Sequence, residues 1–251
     1  MKTSIATVSL GGTLDSKLEA IARAGFSAAE IFENDLLSSP LPARQIGSMM
    51  GDLGIASAML QPFRDYEGMS ADLRDAALER MRRKFAVMDD LGTDLILLCS
   101  NCSPQASGGR QHLLDDLHLL GELAASHGKR IAYEALAWGR HIYDHRDAWS
   151  LVRDLDHPAI GLTLDSFHSL ARGVPSSSIG DIRPEKLFIV QLADAPKLEM
   201  DHLNWSRHFR CMPGQGDFAL DDYAAALCKI GYQGYWSLEI FNDRFRSTSA
   251  G

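Results

Sequence analysis

Residues 130–167 read RIAYEALAWGRHIYDHRDAWSLVRDLDHPAIGLTLDSF. A short apolar run at 130–136 is followed by an amphipathic stretch at 146–154 and by a second apolar run at 161–167. Short apolar runs are typical of buried strands, and an amphipathic stretch is typical of a helix that covers them. This segment therefore predicts a strand, a helix and a second strand parallel to the first.

The same alternation runs along the whole chain. It predicts strands at 4–10, 28–32, 55–61, 94–100, 130–136, 161–167, 187–193 and 235–241. It also predicts helices at 14–24, 42–53, 70–91, 112–126, 146–154 and 220–230. Glycine follows several of these helices, where it ends them before the next strand: Gly25, Gly54, Gly92, Gly128 and Gly231. Repeated strand and helix units predict an α/β protein, a closed (β/α)₈ TIM barrel formed by residues 1–251 as one domain.

The end of the chain departs from this pattern. Only residues 242–251 follow the eighth predicted strand, and they are too few and too polar for the helix that would cover it. We therefore expect the barrel to lack its final helix. Three explanations stay open: the natural chain continues into a fused C-terminal domain, a partner subunit of a homo-oligomer covers this face, or the groove stays exposed.

Composition excludes some partners. The formal net charge is −8, and lysine and arginine are scattered, so we expect no binding to nucleic acid. The sequence has no apolar run long enough for a membrane span and no signal-peptide pattern at its start, which predicts a cytoplasmic protein. Cys99 and Cys102 are the one close cysteine pair, and without a second pair we expect them to end a strand and begin a loop instead of binding zinc.

Four predicted strands carry a polar residue near their carboxyl ends, namely Glu134, Asp165, Gln191 and Glu239. Each follows an apolar run, where an unpaired charge is costly unless it is paired or binds a metal. The carboxyl ends of barrel strands form the active site, so these side chains are expected to converge. All-oxygen ligands favour one divalent metal ion of the Mg²⁺, Mn²⁺ or Co²⁺ kind. The alternative is that one or two of the acids pair with arginine.

Five stretches carry a resemblance to a known family: YEALAWG (133–139), LTLDSFH (162–168), VQLAD (190–194), RCMPGQG (210–216) and SLEIFND (237–243). They resemble the xylose-isomerase-like superfamily of sugar isomerases and epimerases, and within it the bacterial 3-dehydroshikimate dehydratases. Some of those carry a dioxygenase-like domain after the barrel, which fits the missing helix. The resemblance implies that the same four residues bind the metal. Gln191 stands where many epimerases have histidine, which disfavours an epimerase but does not separate a dehydratase from a hydroxypyruvate isomerase.

The resemblance implies a lyase that converts 3-dehydroshikimate into protocatechuate with loss of water. The alternative is an isomerase or epimerase of a sugar or of hydroxypyruvate. Both reactions remove a proton beside a ketone, and a chelated dication stabilises the resulting charge. His168 is the first acid or base candidate because its ordinary pKa suits proton transfer near neutrality. Glu134 and Glu239 are further candidates for the base, and the sequence does not decide among the three.

The small-molecule substrate would be a carboxylate, which needs a cationic partner. Arg64 and Arg210 are the best candidates, because a planar guanidinium group binds a carboxylate through two hydrogen bonds. Ser206 and His208 are weaker candidates in the loop before Arg210. The alternative for Arg64 is a surface pair with a nearby acid. Three further side chains are candidates for the pocket: Glu33 after the second strand, and the aromatic residues Trp138 and Phe241.

Overall fold

A computed structural model describes residues 1–248 of the chain. Eight parallel strands form a closed barrel in chain order. β8 closes the ring by pairing with β1, in a register that runs from Lys2 opposite Tyr235 to Ile5 opposite Leu238. The strands are β1 (Lys2–Ala6), β2 (Ala28–Phe32), β3 (Ala56–Phe63), β4 (Leu95–Cys99), β5 (Arg130–Glu134), β6 (Ile160–Asp165), β7 (Leu187–Leu192) and β8 (Tyr235–Leu238).

Helices connect the strands and form the outer layer. They are α1 (Leu14–Arg23), α2 (Glu33–Leu37), α3 (Ala43–Asp52), α4 (Ala71–Leu91), α5 (Arg110–Ser126), α6 (His145–Leu155), α7 (Ser166–Ala171), α8 (His202–His208), α9 (Leu220–Lys229) and α10 (Asp243–Arg246). Helix α4 illustrates why they form. Its buried residues recur every three or four positions, and Gly92 ends it with a φ of 72°, a conformation that favours glycine. Within residues 1–248, no helix combines the length and the apolar character that crossing a bilayer requires.

Alternate side chains along each strand belong to two different hydrophobic cores, one between the barrel and the helices and one inside the barrel. In β5, Ile131 and Tyr133 pack outward against the helices, whereas Ala132 belongs to a smaller cluster inside the barrel. Successive side chains of a strand point to opposite faces, so Glu134 continues the inward row begun by Ala132. The same alternation turns Gln191 inward beyond Ile189. Interior positions near the carboxyl ends of the strands are therefore polar.

The predicted barrel is confirmed, but several strands end earlier than predicted. The prediction of 4–10 was wrong because the strand ends at Ala6 and a 3₁₀ turn follows at Thr7–Ser9. The prediction of 161–167 was wrong because Asp165 caps a short helix, accepting a hydrogen bond from the Phe167 backbone N–H at 2.7 Å. Helices α2, α7, α8 and α10 were not predicted. A four-residue helix, α10, does follow the last strand.

Candidate active site

The four predicted metal ligands lie together at the carboxyl end of the barrel. Glu134 and Asp165 are the last residues of β5 and β6, Gln191 lies one residue before the end of β7, and Glu239 directly follows β8. Asp165 stands opposite Gln191 in the β6–β7 register, which fixes their common height. All four side chains are buried.

Arg210 links two of these acids. Its Nη1 donates to Asp165 Oδ2 at 2.7 Å and to Glu239 Oε2 at 2.9 Å. The guanidinium group is buried over the Phe167 ring, 4.6 Å from its centre. Ser206 Oγ accepts from Arg210 Nη2 at 2.8 Å. One buried cation therefore balances two of the three converging carboxylates and is itself held in place.

Glu30, in the middle of β2, is a fourth buried carboxylate that the sequence analysis did not identify. Gln61 Nε2 and Gln191 Nε2 both donate to its Oε2, at 2.9 and 2.8 Å. Gln191 Nε2 also lies 3.3 Å from Glu239 Oε1. Glu30 thus orients the Gln191 amide, so that the Gln191 carbonyl oxygen is the atom left for another partner. An acid within the apolar run AAEIF was the sequence signal that could have identified it.

Burial and mutual repulsion change the proton affinities of these groups. The pKa of Glu30 is raised to about 8, mainly by burial and also by the charge of Glu239. Burial raises the pKa of Glu134 well above its ordinary value, with Glu239 and Asp165 adding to the effect. The pKa of Glu239 is raised to about 7, mainly by burial, although Arg210 opposes the change. Burial also acts to raise the pKa of Asp165, but Arg210 and His168 outweigh it, and the net shift is downward.

His168, on α7, faces the same acids. Its Nε2 lies 3.6 Å from Asp165 Oδ2 and 3.8 Å from Glu134 Oε1. Its Nδ1 accepts from the Ala137 backbone N–H at 3.1 Å, so the proton of the neutral ring is assigned to Nε2. With that proton in place, the 3.3 Å approach of Arg210 Nη2 to Nε2 is a contact between two donors and not a hydrogen bond. Burial lowers the pKa of His168 to about 3, which makes the neutral form dominant at pH 7. The expectation of an ordinary histidine pKa was therefore wrong.

The donor set fits a hard divalent cation. Glu134 Oε1 and Gln191 Oε1 are buried and have no hydrogen-bond partner within residues 1–248. Unsatisfied buried oxygens are costly, and a cation would satisfy both. Ligand atoms of Glu134, Asp165 and His168 lie within 4.8 Å of one another. That trio contains His168 and not the predicted ligand Glu239, and Arg210 donates to the carboxylates of both Asp165 and Glu239.

Two cavities lead to this cluster. The inner one measures about 20 Å³ and is lined by Glu134, His168, Arg210 and Glu239, among others. Trp138 and Phe241 also line it, as expected for pocket walls. The outer one measures about 540 Å³ and opens toward β2, β3 and α4. Four residues line both cavities, so the outer cavity adjoins the inner one that contacts the acids.

The structure separates the predicted substrate-binding residues. Arg64 lines both cavities, and Ser206 lines the inner one. His208 lies outside both: its Nδ1 pairs with Asp243 Oδ2 at 2.8 Å, and its side chain is 44% exposed. Ser206 and His208 belong to α8 and not to a loop. Glu33 lines the outer cavity, where it pairs with Lys84.

The two predicted cysteine positions occupy a strand end and a loop. Cys99 is the last residue of β4, and Cys102 follows in the loop. Cys99 Sγ donates to Glu134 Oε2 at 3.4 Å, a weak contact to a candidate metal ligand. Burial raises the pKa of the Cys99 thiol well above its ordinary value, so the neutral thiol is the form that contacts the acid.

Comparison with known proteins places the chain among longer relatives. It is 56% identical over 247 residues to a "3-dehydroshikimate dehydratase" of Pseudomonas putida, and 53% identical over 247 residues to a protein of the same name from Pseudomonas aeruginosa. Each alignment covers 98% of this chain but 39% of the relative. The chain thus spans about two-fifths of the length of these curated relatives.

Solved structures share the architecture. A "xylose isomerase-like TIM barrel/4-hydroxyphenylpyruvate dioxygenase fusion protein" matches with a TM-score of 0.97 and 55% identity, covering 100% of this chain and 40% of the fusion protein. The IOLI protein, solved with a bound zinc atom, matches with a TM-score of 0.88 at 20% identity, covering 100% of this chain and 92% of that one, and supports the fold alone. The family model described as "Xylose isomerase-like TIM barrel" matches residues 18–251. The chain therefore belongs to the xylose isomerase-like TIM barrel family.

Proposed function

We propose that this chain is a divalent-metal-dependent lyase that converts 3-dehydroshikimate into protocatechuate and water. The observation that carries the proposal is the 56% identity over 98% of the chain to a relative named 3-dehydroshikimate dehydratase. Because that relative is more than twice as long, its activity is transferred here as a proposal. The polar cluster at the carboxyl end of the barrel supplies the chemical groups that this reaction requires.

The proposed metal ligands are Glu134, Asp165, Gln191 and Glu239. Their support is the pair of unpartnered buried oxygens on Glu134 and Gln191, and the oxygen-rich donor set. A divalent cation held there would polarise the substrate ketone and stabilise negative charge on its oxygen. Any of Mg²⁺, Mn²⁺ and Co²⁺ suits such a donor set.

The reaction first removes the C4 proton beside the ketone. The C5 hydroxyl then takes up a proton and leaves as water, and loss of a C6 proton together with protonation of the former ketone oxygen gives the aromatic ring. Glu239 is the proposed proton acceptor, because its buried carboxylate lines the inner cavity, and burial raises its pKa in the metal-free protein. Arg210 limits that rise, and its hydrogen bond fixes the direction of the carboxylate.

His168 is proposed to act as a hydrogen-bond donor to a substrate oxygen and not as a base drawing protons from solvent. Its neutral ring directs Nε2 toward the carboxylate cluster, and its low pKa opposes protonation. Trp138 packs edge-on against the His168 ring at 5.0 Å and so keeps that orientation. Trp138 and Phe241 together shield the reacting carbons from water.

The test is the ultraviolet absorbance of protocatechuate after mixing metal-loaded protein with 3-dehydroshikimate. We expect a product band that disappears after EDTA treatment and returns with Mn²⁺. Glu239→Ala should abolish the band. Glu67→Gln is the control, because Glu67 is also a buried carboxylate but lines neither cavity, and this variant should keep turnover.

Absence of product with each of Mg²⁺, Mn²⁺ and Co²⁺ would contradict the proposed substrate. Product that forms equally well in EDTA would contradict the proposed metal dependence. Retained activity in Glu239→Ala would remove that residue from its proposed role.

A further inference from the structure

The two cavities meet at a neck that is lined by residues common to both. These residues are Phe32, Pro62, Arg64 and Arg207. Arg207 lies near the end of α8 and was not identified from the sequence. Its guanidinium group stacks over the Phe241 ring, 5.0 Å from the ring centre, which holds the charge at the neck.

Arg210, the other arginine of the inner cavity, is already engaged. Its Nη1 donates to Asp165 and Glu239, and its Nε and Nη2 donate to Ser206 Oγ at 3.2 and 2.8 Å. Its charge balances two buried carboxylates. A substrate carboxylate could bind Arg210 only by displacing one of these buried hydrogen bonds.

Arg64 and Arg207 are differently placed. In the part of the chain that the structure describes, neither has a carboxylate oxygen within 4.0 Å of its guanidinium nitrogens. Burial lowers the pKa of Arg207, and the nearby positive charge of Arg64 lowers it further. Two cations at one neck, neither of them in an ion pair with a carboxylate of residues 1–248, form a site that favours an anion.

We propose that Arg64 and Arg207 together bind the carboxylate of the substrate at this neck. This proposal rests on the proposed function and makes Arg207, in place of Arg210, the partner of Arg64. The anion class is a carboxylate on a small hydroxylated ring. Arg80, Arg83 and Lys84 line the outer cavity only, and they give the approach to the neck a positive potential.

Two test ligands, used side by side, measure how much the carboxylate contributes to binding. Protocatechuate and catechol share the adjacent hydroxyl groups, and only the former has a carboxylate. Their dissociation constants would be measured by calorimetry on Mn²⁺-loaded wild-type protein and on Arg207→Met. We expect wild-type protein to prefer protocatechuate by roughly 10- to 100-fold, the range that a charge-assisted hydrogen bond provides, and Arg207→Met to lose most of that preference. Catechol affinity should be the same in both proteins.

Arg83→Met is the matched control, because it removes the same charge from the outer cavity without touching the neck. It should retain the preference for protocatechuate. Arg207→Lys, which keeps the charge but lacks the planar fork, should restore part of the preference. An unchanged preference in Arg207→Met, or an equal loss in Arg83→Met, would overturn the proposal.

Turnover is measured by the absorbance assay and the affinities by calorimetry, so the proposed function and the neck site can fail independently. Loss of the carboxylate preference in Arg207→Met would support the neck site even if the absorbance assay contradicted the dehydratase. Equal affinity of wild-type protein for the two ligands would overturn the neck site, whereas a missing product band would count against the proposed function.

Discussion

Replacing Glu30 with glutamine should reduce the pH dependence of stability of the metal-free protein. In the folded protein the pKa of Glu30 is about 8, against an ordinary value of 4.5. A carboxyl group with a raised pKa binds its proton more tightly when folded, so its contribution to stability is full below pH 4.5. That contribution is lost as the pH rises toward 8.

The size of the effect follows from these two pKa values. Between pH 5 and pH 7.5, Glu30 ionises in the unfolded chain but stays mostly protonated in the folded protein. This difference lowers the free energy of unfolding by about 3 kcal/mol over that range. Glutamine keeps a carbonyl oxygen for the donors Gln61 and Gln191, but it does not ionise. The free energy of unfolding of Glu30→Gln should therefore fall by about 3 kcal/mol less than that of wild-type protein over this range.

Urea denaturation in EDTA at several pH values between 5 and 7.5 is the assay. Glu122→Gln is the control, because Glu122 is exposed on α5 and its pKa is lowered by a hydrogen bond with His157. It should not reduce the fall in stability. Parallel curves for Glu30→Gln and wild-type protein would refute the assignment of a raised pKa to Glu30.

Three more substitutions test other parts of the structure. Glu134→Gln should weaken Mn²⁺ binding at least about 10-fold in calorimetry, because loss of a residue that only supports a ligand already lowers metal affinity by about that factor. Unchanged affinity would show that Glu134 does not bind the metal. Arg210→Met should lower the free energy of unfolding in urea by about 3 to 5 kcal/mol, because two buried acids lose their cation; a change below about 1 kcal/mol would contradict this. Gly68→Ala should lower the free energy of unfolding by about 1 to 3 kcal/mol, because φ is +77° and the new Cβ would clash with the Ser107 carbonyl oxygen. Gly51→Ala in α3 is the control: the space around Gly51 is open, so this variant should not be destabilised.

The barrel and the position of its ligands could be predicted because the signals are local. Each strand is a short apolar run, and Glu134 and Asp165 directly follow the last apolar residues of theirs. The alternation of a strand then determines which face each acid occupies. The strand ends were less predictable, because Asp165 caps a helix that is only six residues long and leaves no helical period to detect.

Long-range partners could not be predicted in this way. Arg210 pairs with residues that lie 45 and 29 positions away, and no local pattern distinguishes it from Arg207 or Arg64. The three arginines differ only in what surrounds them once the barrel has closed. The pKa of His168 was missed for the same reason, since its burial depends on elements contributed by several parts of the chain.

The pairing of β8 with β1 joins segments that lie more than two hundred residues apart in the chain. Glu239 directly follows β8, so the proposed ligand set is complete only when this long-range pairing, which closes the longest loop between paired strands, is made. An ion held there would bind the closed ring in preference to any open intermediate, and its binding energy would add to the stability of the native topology. Metal occupancy is therefore expected to report ring closure during refolding.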